Sequence, residues 1–265
     1  MLLFNNKLDL DLDTIEVAKI IKIAGNIVRN SLFVNAYQFK INQADLVTEM
    51  DSKVEKFLIE QLQQLAPAYR FVTEETNPNE AIREEEMTWI IDPIDGTMNF
   101  VHGFERISIS VALCKGERPI AAWIYDIHQE KLYTAMQGKG AYCNNEVISV
   151  SETPKLEHGL IAFGFSAQQW VEKEEVLQLM QRFAGSSRGI RITGSSCLDL
   201  ADVATGRLDG FWHFGLQPWD IAAGILLITE AGGTCTALDN ENAICSDSIV
   251  TSNSHIHQQL RHTLK

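Results

Sequence analysis

The sequence predicts a layered α+β fold, and three observations lead to that class. Two amphipathic helical segments open the chain, short β-branched runs fill its middle, and helices alternate with strands in the remainder. Helices before and after a meandering block of strands favour stacked layers over a regular βαβ series. The absence of repeats and of flexible linkers in the sequence predicts a single domain over residues 1–265, with an α+β half to about residue 152 and an α/β half after it.

Apolar residues at helical spacing predict the two opening helices. The first covers residues 13–32, and Asp13 followed by Glu16 has the spacing of a capping box. The second begins after Thr48 and ends before Pro67, because proline removes a helical hydrogen bond and clashes with the preceding turn.

Strands and further helices are predicted from residue 71 onward. Short β-branched runs bounded by turn residues predict strands at residues 71–72, 89–91, 107–113, 120–125, 131–135 and 208–214. Helical periodicity ending near glycine or a polar turn predicts helices at residues 176–183, 195–205 and 220–231.

The charge balance excludes several classes of function. The chain has 22 Lys and Arg residues against 35 Asp and Glu residues, a net charge of −13, so it is not expected to bind nucleic acid or an anionic membrane. The apolar run at residues 221–228 is too short to span a bilayer, and the N-terminal residues lack the basic start of a signal peptide. A cytoplasmic location is therefore expected. Five cysteines without a CxxC pair predict reduced thiols.

The strongest chemical signal is a pair of acids after an apolar strand. Asp92 ends the run, Pro93 fixes the backbone, and Asp95 follows three residues later with the carbonyl of Ile94 between the two carboxylates. Such oxygen donors suit a hard cation. Either acid alone is more often a turn or cap residue, so the assignment needs further acids nearby.

Gly96 and Thr97 follow the acid pair and are expected to open a short helix. The first N–H groups of a helix have no intrahelical acceptor, so they are able to hold phosphate oxygens. The sequence thus places carboxylates, a carbonyl group and a helix start within six residues, 92–97.

Further acids have no basic partner close by in the sequence. Glu74 and Glu75 follow the strand at residues 71–72, and Asp220 opens the last core helix, where an N-cap role is the alternative. No Lys or Arg occurs at residues 89–104 or 208–260. Four carboxylates about 5 Å apart repel by about 3 kcal/mol per pair at an effective dielectric constant of 20, so only cations could hold them together.

These motifs resemble those of the inositol monophosphatase family, which belongs to a superfamily with fructose-1,6-bisphosphatase. Residues 89–102 and 219–233 are similar to the two family signatures. Residues 45–51, the pair at 74–75 and residues 194–210 resemble the other conserved blocks, in order. The resemblance covers nearly the whole chain and implies the layered α-β-α-β-α sandwich of that superfamily.

The resemblance implies a Mg²⁺-dependent phosphomonoesterase that hydrolyses inositol monophosphate by in-line attack of water, without a covalent intermediate. The implied ligands of two or three Mg²⁺ ions are Glu74, Asp92, the Ile94 carbonyl, Asp95 and Asp220. The implied groups that activate water are Glu74, Thr97 and Asp51, and the backbone N–H groups of Gly96 and Thr97 would hold the phosphate. The implied substrate contacts are Asp95, Gly194, Ser195, Ser196, His213 and Asp220. Lithium inhibition and a homodimer are also implied.

Several residues depart from the family pattern or have a second interpretation. His213 stands where inositol-specific members commonly place an acid that binds sugar hydroxyls, and an ordinary strand residue is the alternative. Arg106 is expected at the surface rather than on a substrate anion. Ser195 fits a helix cap equally well, and Lys40 matches a family position near the site.

Two other functions remain open on the sequence. The same chemistry could act mainly on fructose 1,6-bisphosphate, NADP or adenosine 3′,5′-bisphosphate. The chain could also be a catalytically silent metal-binding module, although a retired site has no need to keep six matching residues: Asp51, Glu74, Asp92, Asp95, Thr97 and Asp220.

Overall fold

The computed structural model describes residues 12–31, 37–39, 46–166, 173–239, 244 and 246–265. The helices in these ranges are α1 (Thr14–Arg29), α2 (Glu49–Leu65), α3 (Thr97–His102), α4 (Lys173–Ser186), α5 (Ser196–Ala204), α6 (Pro218–Glu230) and α7 (His257–Leu264). The first strands are β1 (Tyr37–Phe39), β2 (Leu46–Thr48), β3 (Arg70–Thr73), β4 (Met87–Asp95), β5 (Ser108–Lys115), β6 (Arg118–Asp126) and β7 (Lys131–Met136). The later strands are β8 (Gly140–Cys143), β9 (Glu146–Val147), β10 (Leu160–Phe165), β11 (Gly189–Arg191), β12 (Gly210–Phe214), β13 (Thr234–Thr236) and β14 (Ser248–Ser252).

Two large sheets form the framework. The first has seven strands in the order β3-β4-β5-β6-β7-β8-β9, in which β3 and β4 are parallel and every later pair is antiparallel. The second has five strands in the order β11-β10-β12-β14-β13, with β10 parallel to both of its neighbours. A separate hairpin pairs β1 with β2.

Helices cover both faces of each large sheet. Helices α1 and α2 pack on one face of the seven-stranded sheet, around buried side chains such as Trp89 and Trp123. Helices α5 and α6 lie between the two sheets, and α4 and α7 cover the far face of the five-stranded sheet around Phe163 and Trp212. The α-β-α-β-α sandwich predicted from the resemblance is therefore confirmed.

The element bounds differ from the predicted ones at several ends. Helix α1 ends at Arg29, before the predicted end at residue 32, which lies outside the described residues. The predicted capping box is only half formed, since Asp13 accepts bonds from the N–H groups of Ile15 and Glu16, while the Glu16 carboxylate pairs with Lys19 at 2.7 Å.

Helices α5 and α6 begin at other residues than predicted. Helix α6 begins at Pro218, so Asp220 is its third residue rather than its N-cap, and Gln217 occupies the cap. Proline favours the first turn because its fixed φ suits the helix and its missing N–H is not needed there. Ser195 is the N-cap of α5, which begins one residue later than predicted.

The helices of the described residues contain no segment that is both long and apolar enough to cross a bilayer.

Candidate active site

The acid pair at the end of β4 is brought together by a bulge. Asp92 pairs with Ser110 and Asp95 with Ser108, so four residues of β4 lie opposite three of β5. In a regular strand, the side chains of residues three apart point to opposite faces of the sheet. The extra residue of the bulge turns Asp95 to the same face as Asp92. The Asp92 and Asp95 carboxylates are consequently buried on the same side of the sheet, together with the Cys197 thiol, and one ligand atom of each lies within 4.8 Å of the others.

The parallel pairing of β3 with β4 places Glu74 beside the acid pair. The carboxyl ends of the two strands meet at one edge of the sheet, and the Glu74 N–H donates to the Ile91 carbonyl at 3.3 Å. The Glu74 carboxylate is close enough to raise the pKa of Asp92. Asp220, on the first turn of α6, acts on Asp92 in the same way, and its carboxylate accepts a bond from the Gln217 N–H at 2.7 Å.

Asp92 lies at the electrostatic centre of the site. Burial raises its pKa well above the ordinary range, and the negative charges of Glu74, Asp95, Asp220 and Asp51 raise it further. Among the described residues, the hydrogen-bond donor to its carboxylate is the Ile94 N–H, at 3.0 Å. Within the described part of the chain, no Lys or Arg nitrogen lies within 4 Å of the Asp92 or Asp95 carboxylates.

Hydroxyl groups around Asp95 offset part of its burial. Ser108 donates to one carboxylate oxygen at 2.9 Å and Ser195 donates to the same oxygen, while the N–H and hydroxyl of Ser196 each donate to the other oxygen at 3.0 Å. The pKa of Asp95 is still raised by burial, although these bonds lower it. Ser195 also caps α5 through the Leu198 N–H, so the helix-cap role predicted for it is confirmed.

Asp51 and Thr97 form a hydrogen-bonded pair across the site. The Thr97 hydroxyl lies 3.1 Å from an Asp51 oxygen and 3.1 Å from the Ile94 carbonyl, so its single proton can be given to either acceptor. The other Asp51 oxygen accepts from the N–H and hydroxyl of Thr48, at 2.8 and 2.5 Å, in the capping box of α2. Burial raises the pKa of Asp51, and the bonds from both threonines lower it.

Two glycines pack the turn after β4 against the start of α5. Gly96 has φ of +93°, and a Cβ there would lie 3.0 Å from the Arg106 carbonyl and 3.1 Å from the Gly194 carbonyl. Gly194 has φ of +81°, and a Cβ there would lie 2.9 Å from the Asn99 side chain. Only glycine adopts such positive φ values without strain and leaves room for these close contacts. Gly96 is the N-cap of α3, so the first N–H groups of this short helix face no intrahelical acceptor.

A cavity of about 490 Å³ opens beside Asp95. It is lined by Gly194, Ser195, Ser196 and His213, which the sequence analysis connected with substrate, and by a larger, mainly apolar surface. The apolar part comes from Met98, Phe163, Phe165, Ile192 and Phe211. Burial lowers the pKa of His213 to about 4, so its ring is neutral near pH 7.

Arg106 was expected at the surface, but its guanidinium is mostly buried and forms ion pairs. The guanidinium donates to Asp199 at 2.7 Å and to Asp202 at 2.8 Å, which ties the loop after α3 to α5. The Thr193 hydroxyl donates to Asp199 at 2.7 Å. Burial raises the pKa of Asp199 to about 7 even though Arg106 lowers it. The expectation failed because the partners are about 95 residues away in the sequence and local pattern does not show them.

The donor set fits a hard divalent cation. The buried donors near Asp92 are carboxylate and carbonyl oxygens, which Mg²⁺ prefers. Among the described residues, the soft donor beside these oxygens is Cys197, which gives its thiol hydrogen to the Asp220 carbonyl at 3.2 Å, and burial raises its pKa well above the ordinary value. It therefore stays a neutral thiol, which is a poor metal ligand. Lys40 lies outside the described residues.

Known proteins resemble this chain over most of its length. A family model described as the inositol monophosphatase family matches residues 11–265. This chain belongs to the inositol monophosphatase family. It is 35% identical over 226 residues to the inositol-1-monophosphatase of Bacillus subtilis strain 168, covering 83% of this chain and 84% of that protein. It is 38% identical over 218 residues to the putative Nus factor SuhB of Neisseria meningitidis serogroup B, covering 82% and 83%.

Solved structures of phosphatases in this family have the same fold. The inositol monophosphatase of Anabaena superposes with a TM-score of 0.85 at 30% identity and covers 98% of this chain and 96% of its own. SaIMPase-II of Staphylococcus aureus has been solved with inositol monophosphate (TM-score 0.77, 28% identity, 93% and 92% covered). It has also been solved with 2′AMP (TM-score 0.78, 28% identity, 93% and 91% covered). The predicted family is thereby confirmed.

Glu55 supports the site of this inositol monophosphatase family member, and it was not predicted from the sequence. It is 1% exposed on α2 and accepts bonds from the Glu75 N–H at 2.8 Å and the Thr76 N–H at 2.9 Å, besides the Thr76 hydroxyl. These bonds fix the loop that carries Glu74. The available signal was spacing, because Asp51, Glu55 and Leu58 recur on one buried helical face where an acid needs a partner.

The stability of the metal-free protein should fall as pH rises, because Asp92 binds its proton more tightly in the folded state. Proton binding to Asp92 therefore stabilises the folded state, and this contribution is complete below the carboxyl pKa of the unfolded chain, about 4. The contribution is lost as pH rises through the raised pKa of the folded state. We expect Asp92→Asn to raise Tm in EDTA by a few degrees at about pH 7 and to flatten the pH dependence.

Thermal melts in EDTA from about pH 4 to 8 measure this effect. Asp239→Asn, at an exposed position, is the matched control and should leave the curve unchanged. A lower Tm for Asp92→Asn at neutral pH, with its pH dependence intact, would contradict the repulsion described above.

Glu55→Gln should loosen the Glu74 loop. An amide offers one acceptor oxygen and an NH₂ group, so one of the two backbone N–H groups would face a donor. We expect a loss of about 1.5 to 3 kcal/mol from the free energy of unfolding and a higher Mg²⁺ concentration for half-maximal phosphate release. Glu60→Gln, exposed on the same helix, is the control. Equal Mg²⁺ dependence in both variants would show that Glu55 does not position the Glu74 loop for metal binding.

Proposed function

We propose that this chain is a Mg²⁺-dependent phosphomonoesterase with inositol monophosphate among its substrates. The observation that carries the proposal is the convergence of carboxylates on the buried Asp92 from the end of β3, from β4 and from α6, with no basic nitrogen within 4 Å of Asp92 or Asp95 among the described residues. The names of the relatives support the substrate. The acidic balance of the chain supports a small phosphorylated substrate over nucleic acid or a membrane.

The residues proposed to hold two or three Mg²⁺ ions are Glu74, Asp92, Asp95, Asp220 and the Ile94 carbonyl. When bound, Mg²⁺ supplies positive charge that lowers the pKa of water and neutralises charge on the phosphate and the leaving oxygen. Asp92 and Asp95 form the tightest part of this set, and Glu74 and Asp220 act on Asp92 from two other elements. The site is thus assembled only in the folded chain.

Thr97 and Asp51 are proposed to orient and deprotonate the attacking water, with Glu74. When the Thr97 hydroxyl donates to Asp51, its lone pairs are turned outward and can accept a hydrogen from water. Asp51 then receives the proton, and its raised pKa makes it a better base than an ordinary surface aspartate. The bonds from Thr48 hold the Asp51 carboxylate in position for this step.

The phosphate is proposed to lie against the N–H groups of Gly96 and Thr97. The left-handed Gly96 and the close approach of Gly194 fix the direction of this turn, so its amides do not need to reorganise on binding. Asp95, Asp220, Gly194, Ser195, Ser196 and His213 are proposed to face the alcohol part of the substrate. Ser195 and Ser196 would act through Asp95, to which their hydroxyls already donate.

A phosphate-release assay tests the function and its alternatives. With Mg²⁺ we expect hydrolysis of inositol 1-phosphate that EDTA abolishes, and we expect Asp92→Asn and Asp220→Asn to lower kcat by at least about 10³-fold while both variants still fold. The panel includes fructose 1,6-bisphosphate, NADP and adenosine 3′,5′-bisphosphate. Fast phosphate release from one of these compounds, with none from inositol 1-phosphate, would show that the proposed substrate is wrong. No phosphate release from any ester would favour a catalytically silent metal-binding module.

Lithium inhibition and a homodimer are also proposed, both from the family resemblance. We expect millimolar Li⁺ to inhibit Mg²⁺-dependent phosphate release, with equal concentrations of K⁺ as the control for ionic strength. Light scattering is expected to give twice the chain mass of 29.7 kDa. Insensitivity to Li⁺ would count against an ion site near Asp51. A mass equal to that of one chain would show that the proposed homodimer is wrong. A cytoplasmic location stays a prediction.

A further inference from the structure

The Asp95 carboxylate takes most of its hydrogen bonds from the start of α5. The N–H and hydroxyl of Ser196 each donate to one oxygen at 3.0 Å, and the Ser195 hydroxyl donates to the other oxygen. Ser108, on the neighbouring strand β5, adds a bond at 2.9 Å. Asp95 belongs to the seven-stranded sheet, whereas α5 follows β11 of the five-stranded sheet. The orientation of the carboxylate therefore depends on where the start of α5 lies relative to β4.

The link from β11 to α5 is short and turns sharply. It consists of residues 192–195, and Gly194 within it has a φ of +81°. Strand β11 lies at the edge of its sheet, where β10 pairs with it on one side. The ladder that leads into the link is thus a single one, and side-chain hydrogen bonds fix the position of the link itself.

Thr193 lies in this link and is held through both its main chain and its side chain. The Asn99 amide donates one hydrogen to the Thr193 carbonyl at 2.9 Å and the other to the Arg106 carbonyl at 2.8 Å. The Thr193 hydroxyl donates to an oxygen of the buried Asp199 at 2.7 Å, and Arg106 donates to the same oxygen. The link is thus joined to α3 by Asn99 and to the loop after α3 by Arg106.

The Asn99 amide has a fixed orientation in this arrangement. Its two acceptors are carbonyl oxygens, which cannot donate, so the nitrogen has to face them. A Cβ on Gly194 would lie 2.9 Å from Asn99 Oδ1, so the amide also packs closely against the link. Displacing the link would therefore break hydrogen bonds and bring atoms into collision.

We propose that Thr193 is a positioning residue of the active site. It holds the link so that Ser195 and Ser196 keep the Asp95 carboxylate in one orientation toward a bound Mg²⁺ ion and the alcohol part of the substrate. Thr193 acts through these two serines, as outer partners of metal ligands do, and is not itself a ligand. The proposal rests on the phosphomonoesterase function above and adds a residue outside the acid cluster.

The groups proposed to activate water are held by other bonds. Asp51 accepts from the N–H and hydroxyl of Thr48 in the capping box of α2, and Thr97 donates to Asp51 or to the Ile94 carbonyl. Loosening the link should consequently affect the binding of Mg²⁺ and substrate more than kcat. A general loss of stability has a different signature, because it lowers the active fraction and hence kcat while KM is unchanged.

Thr193→Val tests the hydroxyl, because valine has a similar shape and no donor. We expect the Mg²⁺ concentration for half-maximal phosphate release and the KM for inositol 1-phosphate to rise about tenfold, the lower end of the range for outer partners of a metal site. Thr193→Ser keeps the hydroxyl and should restore both values to nearly those of the wild type. Thr263→Val removes a hydroxyl that bonds to the Gln259 carbonyl within α7, and as the matched control it should change neither value.

Two further measurements do not require turnover. Titration calorimetry should show Mg²⁺ binding about tenfold weaker in Thr193→Val. In the metal-free protein, the Ser196 N–H should exchange its hydrogen about tenfold faster, the effect of losing one hydrogen bond. Asn99→Asp, which keeps the shape of the amide but has no hydrogen to donate, should shift both measurements in the same direction. Melting curves in EDTA identify any variant that fails to fold.

The outcomes separate this proposal from the one it rests on. Faster exchange in Thr193→Val, with Mg²⁺ binding and KM unchanged, would reduce Thr193 to a purely structural role and overturn the proposal. Equal effects of Thr193→Val and Thr193→Ser would also overturn it, because the hydroxyl would not be the group responsible. Weaker Mg²⁺ binding in Thr193→Val, with no ester hydrolysed by the wild-type chain, would support the role of Thr193 and count against the phosphatase function instead.

Discussion

The repulsion among buried carboxylates around Asp92 is the constraint on which the rest of the site depends. A buried charge normally keeps a paired cation or several donors. Asp95 and Asp51 each have hydroxyl and N–H donors, but in the part of the chain that the structure describes Asp92 has one N–H donor and four acids near it. Such an arrangement costs folding free energy in the metal-free chain. Under the proposed function, divalent cations bound among these carboxylates would offset the repulsion.

The surrounding structure is built to hold these acids against that repulsion. Each acid is on an element whose backbone is fixed independently: the bulge of β4 for Asp92 and Asp95, the end of β3 for Glu74, and the first turn of α6 for Asp220. Glu55 then fixes the Glu74 loop through two backbone N–H groups. A ligand set whose members cannot separate binds a cation with less reorganisation, which is the use of a supporting shell around a metal site.

The sequence predicted what depends on local spacing and missed what depends on distant partners. The acids of residues 92–97 and the helix that begins near Asp220 could be found because the strand, turn and cap patterns that mark them are local. The family resemblance supplied the layered arrangement, and the comparisons confirm it. Arg106 was misplaced because its partners Asp199 and Asp202 are far along the chain. The contact of Gly164 with His213 depends on the register of two parallel strands, which no single segment encodes.

The metal cluster and the cavity lining are built from different elements, and this separation has a consequence for specificity. The acids come from the residue after β3, from β4 and from α6, whereas the cavity lining comes mainly from β10, β12 and the segment after β11. A substitution at position 213 would therefore alter the proposed alcohol end of the site without moving the acids on β4. With His213 facing the alcohol part of the substrate, as proposed, a neutral ring in place of an acid would change which alcohol is accepted and would leave the phosphate chemistry the same.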